Sequence, residues 1–308
     1  MNRRTIDNRF QPEAPSEIRR EVLDILASIS GQMDTAPVEK AFDDVEKLFR
    51  GKFPGFRACN TTYHDLHHTL GVFLAMARLI HGAGLDGQTL TDNDITIGLI
   101  AALMHDVGYI QETQDTEGTG AKYAASHIER SIEFVKQYGS LYGLSAQDIA
   151  AAQAVIQCTD IGIDVSTLRF PSDRIRLLGE LLGTADLLAQ LADRTYLEKL
   201  LHLYDESREA GVGDYVDELD IYRKAIPFYD FVEERLEKTL DGVDRFMRFH
   251  FASRFNVAEN LYRKSIENQK HYLSKILNFQ EKNPRKHLKR RDILARIRKA
   301  YNSQSPPE

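Results

Sequence analysis

The chain has 308 residues, 42% of them apolar, and a formal net charge of −6. Such a length and apolar fraction suit one large packed domain and argue against a disordered chain, while the acidic balance offers no global attraction to nucleic acid or to a membrane. Two cysteines, Cys59 and Cys158, with no CxxC spacing, exclude a disulfide framework and a zinc ribbon and point to a reducing cytoplasm.

Residues 1–15 carry Arg3, Arg4 and Arg9 but no apolar stretch of a signal peptide, and read as a loose segment. The longest strongly apolar run, 95–104, falls far short of the roughly 20 residues that span a bilayer. Apolar residues recur at helical spacing nearly throughout, and alternating β-branched runs are absent, so the predicted class is all-α. Helices are predicted over 17–31 and 37–49. A Gly/Pro break at 51–55 then leads to Tyr63-His64-Asp65-Leu66-His67-His68 and a helix to about residue 81. The glycine-rich stretch 82–88 reads as a turn, and Thr91 or Asp92 as the cap of a helix over 95–107. Residues 111–121 read as a polar loop, 121–138 as helix, and Ser145 with Asp148 as a capping box opening a helix to residue 158. Ser172 is the predicted cap of a long helix to residue 192. Further helices are predicted over 196–210, 216–251 (with a break at Pro227) and 255–281, then a basic helix over about 286–301. The predicted organisation is a loose start (1–15), a helical domain (16–252) and a helical C-terminal extension with a basic tail (253–308).

Chemistry concentrates in the middle of the chain. His64, His67 and His68 precede or open one helix, and His64 and His68, four apart, would share a face if both were helical. His105-Asp106 ends the apolar run 95–104, where an unpartnered carboxylate would cost several kcal/mol (about 3–5). Asp106 therefore needs a cation or hydrogen-bond donors. Asp186 poses the same problem inside Leu181-Leu182-Gly183-Thr184-Ala185-Asp186-Leu187-Leu188. For Asp106 a metal is one solution and an arginine another; Asp186 could instead pair with Arg174, Arg176 or Arg194, or simply be one polar edge of its helix. His81, His202, His250, His271 and His287 have no partners at suggestive spacing and read as surface or core residues.

The order His68, His105-Asp106, Asp186 resembles the HD-domain metal-dependent phosphohydrolase superfamily, and within it the cyclic-nucleotide phosphodiesterase branch. Residues 63–69 are similar to its Y-H-N-x-x-H-A block, 101–106 to its A-A-x-x-H-D block, and 184–187 to its T-A-x-D-L block with one residue fewer. The likeness covers about residues 40–250. It implies an all-α, phosphodiesterase-like helical domain in which His68, His105, Asp106 and Asp186 hold a divalent ion. Two imidazoles and two carboxylates suit Mn, Fe or Zn, and Mg less well. The resemblance further implies His64 as the proton donor to a leaving oxygen, with Asp106 in the catalytic set and free to bridge to a second ion. His127 is the candidate for a supporting place or for that second ion. The chain departs from the pattern at Asp65, which replaces Asn, and at Tyr109, which stands where the phosphodiesterases have a further histidine. No histidine occurs at 156–159, where other HD families complete a two-metal site.

The expected activity is hydrolysis of a small phosphoester, a nucleotide or cyclic nucleotide, by a cytoplasmic enzyme. No membrane or nucleic-acid partner is expected, and a homo-oligomer is compatible with the sequence. Two other readings stand beside it. One is an HD-fold regulatory module that binds metal with little turnover. The other is a nucleic-acid-associated helical protein acting through the basic residues between 282 and 301.

Overall fold

The computed structural model describes residues 11, 12, 14–278, 287 and 288. Among them the secondary structure is helical, apart from two isolated β-bridges, Arg50 with Ala58 and Phe56 with Glu112. Eleven α-helices follow one another among the described residues: α1 (Pro15–Ile29), α2 (Ala36–Phe49), α3 (Leu66–Leu85), α4 (Asp92–Met104), α5 (His127–Tyr138), α6 (Ala146–Gln157), α7 (Asp173–Ala192), α8 (Tyr196–Ala210), α9 (Asp220–Lys238), α10 (Phe246–Phe255) and α11 (Leu261–Leu277).

Three of these helices are buried on nearly every side, because their sequences are apolar nearly all round. In α3 only His67, Gly71 and the last two residues reach solvent appreciably. In α4 every residue from Asp94 to Met104 is buried, and α7 follows the same rule around Asp186. Helices α1, α2, α6, α10 and α11 surround them, with α3 packed on α1, α4, α7 and α10, α4 also on α2 and α6, and α7 also on α6 and α11. The outer helices carry the one-sided pattern expected of a shell: α1 buries Ile18, Val22, Ile25 and Leu26, spaced three and four apart.

Local signals act where they were read. Thr91 with Asp94 and Ser145 with Asp148 both form capping boxes, and the Ser172 hydroxyl accepts the Ile175 N–H. Four boundaries differ from the sequence expectation, each for a tertiary or backbone reason. Gly82 and Gly84 lie inside α3 instead of ending it; a Cβ at Gly82 would stand 2.0 Å from the Phe246 carbonyl oxygen, so this glycine admits α10. The predicted helix over 121–138 begins at His127, after a 3-10 turn over Gly120–Tyr123. The predicted helix over 216–251 is two helices, since Asp241 and Gly242 adopt positive φ and turn the chain, whereas Pro227 is carried inside α9. The helix expected from 255 starts at Leu261, because Asn256 closes α10 in the left-handed region and Asn260 caps α11 through the N–H groups of Tyr262 and Arg263.

Helix α11, from the predicted extension, buries Tyr262, Leu273 and Ile276 in the same core as the preceding helices. The basic segment 282–301 lies outside the described residues apart from His287 and Leu288. No described helix is long and apolar enough to cross a membrane, and Cys59 and Cys158 are both free thiols.

Candidate metal centre

The ends and middles of the three buried helices meet at one point. Asp65 caps α3 by accepting the His68 N–H at 2.9 Å, which sets His68 in the first turn. His64 precedes the helix, so the two histidines do not share a helical face; a loop brings His64 in from the side. At the other end of the neighbouring helix, His105 terminates α4, and its Nδ1–H donates to the Ala102 carbonyl at 2.9 Å. That bond leaves the His105 Nε2 lone pair for the centre. Asp186 arrives from the middle of α7.

The four side chains converge. His68 Nε2 lies 3.3 Å from Asp106 Oδ2 and 3.2 Å from Asp186 Oδ1; His105 Nε2 lies 3.3 Å and 3.8 Å from the same two oxygens. The arginine alternative for Asp186 finds no support from Arg174 or Arg176, which pair with Asp94 and Glu180. Exposure falls from the rim inward: the Asp186, His127 and His64 side chains are 20%, 19% and 17% exposed, against 1% for His105 and 5% for Asp106. The cluster is therefore most open to solvent at Asp186, His64 and His127.

Protonation shows how strongly these groups need a positive partner. Burial opposes charge on the His68 imidazole, but the close Asp106 and Asp186 carboxylates and their charges outweigh that, pushing it up to about 10. His105 is raised as well, burial being overcome chiefly by the field of Asp106. Burial would raise the Asp106 carboxyl, yet His105 and then His68 hold it well below the usual carboxylate range.

A divalent ion fits this donor set. His105 Nε2 and Asp106 Oδ2 are buried and make no hydrogen bond, a costly state for an imidazole nitrogen and a carboxylate oxygen. The ligand atoms of His68, His105 and Asp106 lie within 4.8 Å of one another, whereas Asp186 stands near the two imidazoles, at 3.2 and 3.8 Å, but outside this mutually close group. Bonds of about 2.0–2.2 Å to a shared ion set neighbouring ligand atoms roughly 3–3.5 Å apart, close to the spacings found. Asp106 has a second oxygen, Oδ1, which lies 3.8 Å from His127 Nε2. His127 opens α5 and donates Nδ1–H to the Ala124 carbonyl at 2.8 Å, the same arrangement as His105. Burial lowers its affinity for a proton. The turn bearing Asp106 is clasped to α5: Gly108 N–H donates to Ser131 Oγ and Arg130 Nε donates to the Gly108 carbonyl. A Cβ at Gly108 would stand 1.9 Å from the His127 carbonyl oxygen, so only glycine allows this approach.

Two residues of the site carry no plain sequence signal. Glu206, on α8, sets one oxygen on the backbone N–H groups of Thr62 and Tyr63, both at 2.6 Å, and the other on His64 Nδ1 at 2.8 Å. It sits in a run of charged residues that reads as a solvated face, and only its burial, 6% exposed, distinguishes it. Lys199, two turns before Glu206 on the same face of α8, is buried against His67 Nδ1 (3.0 Å) and Asp193 Oδ2 (3.1 Å). Burial and then the Lys199 charge lower the His67 imidazole to about 4, so His67 stays a neutral acceptor for Lys199. Tyr109, the departure from the phosphodiesterase pattern, packs across both His64 and His127.

An all-α protein with two imidazoles and two carboxylates gathered at the junction of three buried helices is the class that fold and site define. The chain belongs to the Npun_R2479-like family, whose model matches residues 54–240 and so spans every residue of the cluster, from His64 to Glu206. No curated protein matches the chain. Membership names no chemistry, which must be argued from the side chains.

Proposed function

We propose that the protein is a metal-dependent phosphohydrolase of the HD-domain kind, acting on a phosphoester of a nucleotide or cyclic nucleotide. The observation that carries this reading is the meeting of His68, His105, Asp106 and Asp186 around two buried atoms left without hydrogen bonds. His68, His105, Asp106 and Asp186 would hold a divalent ion, Mn, Fe, Zn or Mg, which would acidify a water and polarise a phosphoryl oxygen. The chain supplies the rest. His105 Nδ1–H is tied to a backbone carbonyl, so this ring presents Nε2 without changing tautomer. Glu206 takes the Nδ1–H of His64, which leaves Nε2 as the atom that hands a proton to the departing oxygen. Asp106 serves two sides of the centre, Oδ2 toward His68 and His105 and Oδ1 toward His127.

Elemental analysis of the purified protein, joined to a hydrolysis panel of nucleotides and a generic phosphodiester with added Mn, Zn or Mg, tests the reading. About one equivalent of bound metal and metal-dependent turnover are the expected results, and Asp186→Ala is expected to abolish both. Bound metal without turnover on any substrate would favour the regulatory-module reading, to which the absence of a histidine at 156–159 lends weight. Absence of bound metal under every loading condition would defeat both.

A further inference from the structure

Tyr109 has no place in the ligand set, yet its ring is the best-placed group at the rim. It lies 4.3 Å from the His64 ring with the planes 12° apart, and 4.4 Å from the His127 ring with the planes 22° apart. The two imidazoles are 6.3 Å from each other, so one phenol ring covers both. Each imidazole makes its hydrogen bond at Nδ1, His64 to Glu206 and His127 to the Ala124 carbonyl, while Tyr63 meets His64 edge-on at 5.0 Å and His127 Nε2 lies 3.8 Å from Asp106 Oδ1. One hydrogen bond fixes a ring atom but leaves the ring free to swing about that bond; a flat neighbour on the ring face removes this freedom. Tyr109 is itself held firmly. Its N–H donates to the Asp106 carbonyl at 3.1 Å, it is 4% exposed, and its carbonyl faces Gly120 so closely that a Cβ there would stand 1.9 Å away.

We propose that Tyr109 is a positioning residue that sets the plane of the His64 imidazole, and with it the direction in which Nε2 offers its proton, while holding His127 toward Asp106. The claim deepens the phosphohydrolase reading and, for its kinetic half, rests on it. The aromatic ring does the positioning. The hydroxyl stays a neutral phenol, because burial, and then the charges of Asp106, Glu206 and Asp186, raise it far above its ordinary range.

The test compares Tyr109→Phe with Tyr109→Leu in the zinc-loaded protein. Misplacing a proton donor by about 1 Å costs on the order of 10²-fold, so Tyr109→Leu is expected to lower kcat by about that factor. KM should change little and zinc content should stay at the wild-type level, and Tyr109→Phe should restore kcat to within roughly 3-fold. A readout independent of turnover accompanies the kinetics: the imidazole ¹⁵N and ¹³C resonances of His64, sharp and of one tautomer in wild type and Tyr109→Phe, are expected to shift and broaden in Tyr109→Leu. If Tyr109→Leu does not fold, Tyr109→Met makes the same comparison. Wild-type kcat in the leucine variant, an unchanged His64 spectrum, or zinc lost in step with kcat each overturns the proposal. A wild type inactive with Mn, Zn and Mg alike, whose His64 is nonetheless mobilised in Tyr109→Leu, would leave the positioning role standing and remove the hydrolase reading instead.

Discussion

His64 and Glu206 divide one task between two residues 142 positions apart. If His64 is the proton donor, His64→Ala leaves the ligand set intact and slows turnover by about 10²–10⁴-fold, with metal content unchanged. Glu206→Gln should be milder and different in kind. The amide oxygen can still accept the Thr62 and Tyr63 N–H groups, but an NH₂ group now faces His64 Nδ1, so the ring takes the other tautomer and no carboxylate stabilises its charge. A fall in kcat of about 10-fold or more, with an unchanged fold by circular dichroism, is the expected outcome. Equal rates for wild type and His64→Ala would remove His64 from the mechanism. Residue types at the centre were legible in the chain because acids inside apolar helices demand a partner. Glu206 was not, since a glutamate in a charged helix gives no sign of the backbone it will grip.

At the scale of the helix, α3, α4 and α7 combine structural and chemical duties. Their apolar surfaces make them the core, and the site forms where they cross, so a packing defect should reach both. Leu103, fully buried two residues before His105, is a clean probe. Leu103→Ala is expected to cost about 2–5 kcal/mol in urea unfolding at fixed metal concentration. A loss below 1 kcal/mol (against that range of about 2–5) would mean that α4 is not buried as described. Helix starts were readable because capping is local: Thr91, Ser145 and Ser172 each bond a backbone N–H three residues on. The failures were at Gly82, whose reason lies in α10, and at Asp241 and Gly242, whose backbone angles no periodicity reveals. Helix α8 is tethered by polar groups, with Lys199 to His67 and Asp193, Glu206 to the His64 loop and Glu209 to Thr119.

For the molecule as a whole, the proposed metal centre would couple protons, metal and stability. Without metal, protons on the imidazoles neutralise the buried carboxylates. The His68 imidazole is raised in the folded state to about 10, above its unfolded value near 6.5. Its contribution to stability is therefore fully present below about pH 6.5 and is lost as pH rises through about 10. Chelated protein is accordingly expected to lose Tm between about pH 7 and pH 10, while metal-loaded protein, whose imidazoles are neutral ligands, should not lose it through this group. The same linkage requires metal affinity to weaken as pH falls, because binding expels protons. Parallel Tm curves for the chelated and loaded forms across that range would refute the coupling. Metal that binds the folded state alone should also raise Tm as its concentration rises above Kd.

The amino-acid order alone determined the helical class, most helix starts, and which two carboxylates and two imidazoles were expected to gather. These follow from periodicity, caps and the cost of burying charge, all of which act within a few residues or on a single side chain. Tertiary structure decided what those residues meet: His68 and His105 facing both Asp106 and Asp186, His127 at the second oxygen of Asp106, Glu206 behind His64, and Tyr109 laid across two imidazoles. Such meetings depend on how buried helices cross and on a glycine with no Cβ at Gly108, and distance along the chain carries no record of them.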